Sequence, residues 1–213
     1  MNSNRLSTGA KGASVLGAAW LAIALGLALE ALLLLVASGQ GADWEPLKSA
    51  ASAVQRVSWS LVVCVALAWA QVLHPPSALR GGLFGLIGAP VAAITARALH
   101  KSALLALGLA PTATGIPWGL IGVRALEYAW LGFWTSRLAG RGPRVHVAAG
   151  AVVGTVGVAA QLALQLAGAG LRPGGELVVL AANELLFPVG CSVVLWATNT
   201  KARRDAEAAA RNG

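Results

Sequence analysis

Residues 116–136 read IPWGLIGVRALEYAWLGFWTS, an apolar run long enough to cross a bilayer that carries Arg124 and Glu127 near its middle. A charged side chain at the centre of a membrane helix costs a few kcal/mol, about 2.5–3.5 on insertion scales, so both residues are expected to face protein or water and to have partners. That stretch is one of six. Working outward, apolar runs recur at about residues 13–37, 57–73, 81–99, 145–167 and 176–198. The pattern predicts an all-α, polytopic membrane protein: six transmembrane helices in one bundle (13–198), between a short polar lead (1–12) and a basic, helical tail (199–213), with no separate soluble domain.

Composition agrees with the spans. Of the 213 residues 57% are apolar and 11% charged, whereas a soluble domain carries roughly 25% charged residues. The formal charge of +8 would raise nucleic acid as a partner in a soluble chain. Here the basic residues cluster in short loops and the tail, and no basic and aromatic interleaving offers a base-stacking surface, so nucleic acid is set aside. The first apolar run, about 25 residues long, exceeds a signal-peptide core and contains Glu30, so it is read as a retained helix.

Orientation follows from the loops. Arg5, Lys11, Arg80, Arg137, Arg141, Arg144, Lys201, Arg203, Arg204 and Arg211 fall on one side, against Lys48, Arg56, Lys101 and Arg172 on the other. That asymmetry predicts both termini in the cytoplasm of a cell with the protein in its inner membrane. On this reading residues 38–56, Arg56 included, form an external loop with room for an interfacial helix. Trp44, Trp59, Trp69, Trp118, Trp134 and Trp196 serve as headgroup-level anchors. His74-Pro75-Pro76 stops the second span, and Arg172-Pro173 marks an external turn. Residues 100–115, too short to span and interrupted by Pro111, are read as an interfacial or re-entrant segment, with the choice between the two left open.

Two features shape the spans from within. Gly81, Gly85, Gly88 and Ala92 share one face of the third span, and Gly150, Gly154, Gly157, Gln161 and Gln165 one face of the fifth, as close helix approach requires. Pro90 and Pro188 are expected to kink their helices. Each displaces the backbone bond to the carbonyl four residues earlier, Leu86 and Glu184 respectively.

At about 1.5 Å rise per residue, Glu30, Arg124, Gln161, Asn183 and Glu184 fall at one depth, roughly 9–12 Å below the external surface, with Glu127 about 4–5 Å deeper. These six residues are the candidate substrate-binding or ion-pathway site. Three carboxylates then surround a single deep arginine. The bland reading is a polar staple between helices, such contacts contributing about 0.6 kcal/mol on average. The sharper one is a site that moves a small solute or ion. Other readings are a structural or assembly subunit, with a homo-oligomer or larger membrane complex as partner, and an intramembrane lipid-processing enzyme. No catalytic triad, HExxH, phosphate loop or metal-ligand spacing is present, so no catalytic residue, metal or cofactor is expected. Cys64 and Cys191 lie in separate spans and are read as small core hydrophobes.

Overall fold

A computed structural model describes residues 3–41, 45–72, 77–111, 117–168 and 174–211. All regular structure among them is helical: α1 (Ser3–Gly39), α2 (Pro46–Val72), α3 (Ala78–Ala106), α4 (Trp118–Arg137), α5 (Pro143–Gly168) and α6 (Gly174–Arg211). Each helix packs on the next in sequence, and α6 returns to α1, so the six form a closed ring. Further contacts of α6 with α2 and α4 cross the interior. The six-helix bundle expected from the apolar runs is the fold observed.

Five helices, α1, α2, α3, α5 and α6, are long and apolar enough to cross a membrane by length and composition. The exception is α4. Its 20 residues rise about 30 Å, but Arg124, Glu127 and Arg137 dilute its apolar content. It is held between α3 and α5, which do qualify. The outside of the ring is apolar as well, with Trp20, Leu35, Ile87, Leu126 and Leu166 exposed. An apolar exterior around a polar interior is what lipid demands of a helical bundle.

Glycine sets the closest approaches. A Cβ on Gly85 would collide with the Tyr128 carbonyl oxygen, and one on Gly132 with that of Gly81, so α3 and α4 meet backbone to backbone. On α5, Gly150 lies against Pro188 and Val189, and Gly154 against the Glu184 carbonyl, where a Cβ would stand 2.7 Å away. Both small-residue faces are therefore buried contact faces. Pro90 and Pro188 sit inside α3 and α6, and both helices continue through them.

Three helix boundaries differ from the sequence reading, the first being that of α1, which already begins at Ser3 within the expected polar lead. α2 begins at Pro46, so Arg56 lies in the helix and not in an external loop. Proline at the first helical position needs no amide partner, which is why the helix starts there. Residues 100–106 continue α3, which ends with Leu107 capping on the Ala103 and Leu104 carbonyls and Gly108 at φ 72°. By contrast, α6 runs on through the basic tail to Arg211, in keeping with the reading of that tail as a helical extension. The Trp44 anchor, the His74-Pro75-Pro76 stop and the Arg172-Pro173 turn lie outside the described residues.

All six helices contribute to the apolar core. Leu67, Leu131, Val153 and Leu195 pack around Cys64 and Cys191, whose Sγ atoms are 3.3 Å apart. Both cysteines are free and buried.

Candidate functional site

α2 and α6 run parallel across the ring, and three contacts between them mark the levels. Arg56 meets Asn183, Cys64 meets Cys191 and Gln71 meets Asn199. The spacing between partners is near constant in sequence, as side-by-side parallel helices require. The first rung is charged, the second apolar and the third an amide pair.

At the first rung the side chains form one chain of alternating charge. Glu30 of α1 pairs with Arg56 Nε. Arg56 Nη1 donates to Asn183 Oδ1 at 2.7 Å, and Asn183 Nδ2 donates to Glu184 Oε1 at 3.1 Å. The same Glu184 oxygen accepts from Arg124 Nη2 of α4. Arg124 Nη1 then stands 3.7 Å from Glu127 Oε2, one turn along its own helix. Five of the six residues expected at the site, Glu30, Arg124, Glu127, Asn183 and Glu184, are therefore linked directly or through Arg56.

Arg56 corrects the expected charge balance. Placed in a loop by the sequence reading, it is the partner of Glu30, so two guanidiniums, and not one, serve three carboxylates. Glu127 is the carboxylate left over. Both its oxygens are buried without a hydrogen-bond partner among the described residues, and the side chain rests against Gly157, where a Cβ would stand 2.7 Å from Oε1.

Trp59 is the second correction. It is not a headgroup anchor: its ring lies under Arg124, with Cζ 5.3 Å from the ring centroid. It also packs edge-to-face with Tyr128 and Phe187 at 5.8 and 6.4 Å. Cation–π contact and ring packing hold the Arg124 guanidinium from below while Glu184 holds it from the side. Arg56 and Trp59 are the functional residues that sequence reasoning missed. Pro46 as a helix start, together with the three-residue spacing of Arg56 and Trp59, was the signal for both.

Above this layer lies a cavity of about 1220 Å³ lined by all six helices. It runs from Gln40, Pro111 and Gly175, at the ends of α1, α3 and α6, down to Arg56, Arg124 and Glu184. Gln161 and Asn183 line it too, whereas Glu127 and Glu30 lie behind the wall. Gln161 Nε2 and Glu184 Oε2 are buried, and among the described residues neither has a hydrogen bond of normal geometry, although the two side chains interact with each other. Towards the other end the interior is filled by the cysteine core and closed by the third rung. There Asn199 donates to Gln71 Oε1, and Gln71 Nε2 donates to Thr135 Oγ1 at 3.2 Å, tying α6, α2 and α4 together.

Among the described residues no group of three His, Cys, Asp or Glu is arranged to hold a metal ion. Fold and site together define a class: a closed six-helix ring, compatible with an integral membrane protein, with a charged floor under a cavity that reaches one end. Comparisons with protein-family models, with curated proteins and with solved structures find no match to the chain.

Proposed function

We propose that the chain binds a small solute or ion in this cavity and moves it across the membrane. The observation that carries the reading is the position of the Arg56–Asn183–Glu184–Arg124 network, which forms the floor of a cavity reaching only one end of the ring. A polar layer serving as a staple alone would be packed and fully paired. This one borders open volume and, among the described residues, leaves both Glu127 oxygens and Glu184 Oε2 without a hydrogen bond of normal geometry.

The arrangement supplies the parts that alternating access needs. A ligand competing for Arg124 or Glu184 rearranges a contact made between α4 and α6. Glu184 also stands one turn before Pro188, which cannot donate to its carbonyl, so α6 is weakened at the level of the ligand. In this reading the basic loops at the closed end face the cytoplasm of an inner membrane, and the cavity opens outward; the excess of basic residues at that end supports it.

Reconstitution in proteoliposomes tests the reading. Flux of labelled small solutes and ions is measured for the wild type, Arg124→Ala and Glu184→Gln. Loss of flux in both variants, with insertion intact, supports it. Stably inserted variants that keep full flux, or a native chain that purifies only as a stoichiometric part of a larger complex and moves nothing, overturn it.

A further inference from the structure

The two ion pairs at the floor are asymmetric in one respect that bears on what binds there. In each, the carboxylate is behind and the guanidinium in front. Arg56 has 27% of its side chain exposed against 8% for Glu30, and Arg124 has 13% against none for Glu184 and 3% for Glu127. The accessible charge of the floor is thus cationic, although the network as a whole carries three carboxylates. The guanidiniums also keep donor capacity. Each has five N–H groups, and Arg56 uses Nε and Nη1 on Glu30 and Asn183, while Arg124 uses Nη2 on Glu184. A guanidinium anchored from behind by a carboxylate is oriented before the ligand arrives, so less entropy is lost on binding.

The walls add two further facts. Arg97 and Lys101 of α3 and Glu176 of α6 line the way down, so the approach carries two basic groups against one carboxylate. Between approach and floor the lining is apolar, with Ile94, Leu120, Leu180 and Phe187 among it. A simple inorganic ion needs neither that wall nor about 1220 Å³ of space.

We infer that the cavity binds an organic anion, a carboxylate or phosphate on an apolar body, with the anionic group between Arg56 and Arg124 and the body against the walls. This rests on the cavity being a ligand site, as proposed above, but does not require transport. A cation would have to reach Glu184 or Glu30 past the guanidiniums that cover them. An anion meets the guanidiniums first, at planar forks suited to carboxylate and phosphate oxygens. The anionic group can belong to a free solute or to a lipid whose head enters from the side.

Binding without flux separates this inference from the transport reading. The full chain in phosphatidylcholine nanodiscs is titrated with phenylacetate, phenyl phosphate and benzylammonium, and thermal unfolding is followed, since a ligand that binds only the folded state raises the midpoint with concentration. The expected result is stabilisation by one or both anions and none by the cation. Arg124→Gln combined with Glu184→Gln abolishes anion binding while removing the carboxylate that Arg124 holds most closely, so that Glu127 alone loses its partner. Nanodiscs containing phosphatidylglycerol distinguish the sources: stabilisation by that lipid, with loss of the phenyl anions' effect, identifies a lipid head as the anion.

Stabilisation by benzylammonium, by none of the three probes and not by phosphatidylglycerol, or anion binding that survives in the double variant, overturns the inference. Anion binding with no flux leaves it standing and removes only the transport reading. Flux of cations with no anion binding does the reverse.

Discussion

Gly157 of α5 and Glu127 of α4 are in direct contact: a Cβ on Gly157 would lie 2.7 Å from Glu127 Oε1 and 2.8 Å from Cδ. The glycine is what leaves room for a carboxylate inside the ring beside Arg124. Its backbone freedom is not the point, since helical dihedrals suit any residue; the missing side chain is.

Glycine substitutions should therefore rank by what the new methyl group meets. Gly85→Ala drives a Cβ into the Tyr128 carbonyl, which is backbone and cannot turn aside, and overpacking of this kind costs about 1–3 kcal/mol or more. Gly157→Ala meets the end of a side chain that can move towards Arg124, so its cost should fall near the low end, about 1 kcal/mol. Thermal unfolding in detergent should show Gly85→Ala as clearly the less stable, and equal midpoints would refute the packing described.

Breaking one partner of the Glu30–Arg56 pair should cost more than removing both. Arg56→Met strands Glu30 against the interior. The expected loss is about 2–4 kcal/mol, below the full cost of orphaning a deeply buried charge because Arg56 borders the cavity. Adding Glu30→Gln should recover most of it. Additive losses in a double-mutant cycle would show that the two do not interact.

The second rung of the α2–α6 ladder gives a chemical test of the parallel arrangement. Cys64 and Cys191 face each other with Sγ atoms 3.3 Å apart, a separation from which only a small shift reaches bonding distance. Mild oxidation with copper phenanthroline should remove both free thiols together, with a mass loss of about two hydrogens per chain as the thiols join. Thiols lost one at a time, or in cross-linked dimers, would contradict the fold.

Closure of the far end depends on Gln71. Asn199→Ala leaves Gln71 Oε1 without its donor, at an expected cost of about 1 kcal/mol, and loosens the seal below the cysteine core. Maleimide labelling of Cys191, negligible in the wild type where the residue is fully buried, should rise in the variant. An unchanged labelling rate would mean that the amide brace does not seal that end.

How much of this was readable in advance is clearest at the floor of the cavity. Counting residues along each span placed Glu30, Arg124, Gln161, Asn183 and Glu184 at one depth, because an α-helix has a fixed rise and the bilayer aligns the ends of its helices. The contacts Arg124–Glu184 and Asn183–Glu184 now lie at that level. Arg56 escapes that count. Hydropathy marks the start of its span only where the apolar run begins, and a helix that starts earlier, at Pro46, carries polar turns that hydropathy does not see. Trp59 goes with it, since a tryptophan at an assumed border reads as an anchor.

What the sequence by itself determined is the class of fold and the existence of a polar layer, both consequences of one-dimensional quantities: run length, charge spacing and rise per residue. Which carboxylate each arginine takes, and which charge of each pair faces the cavity, was decided only in three dimensions. Those depend on how closely α4 meets α3 at Gly85 and how α5 meets Glu127 at Gly157. Backbone contact distances across a closed ring set the side-chain geometry there, and no periodicity along a single helix contains them.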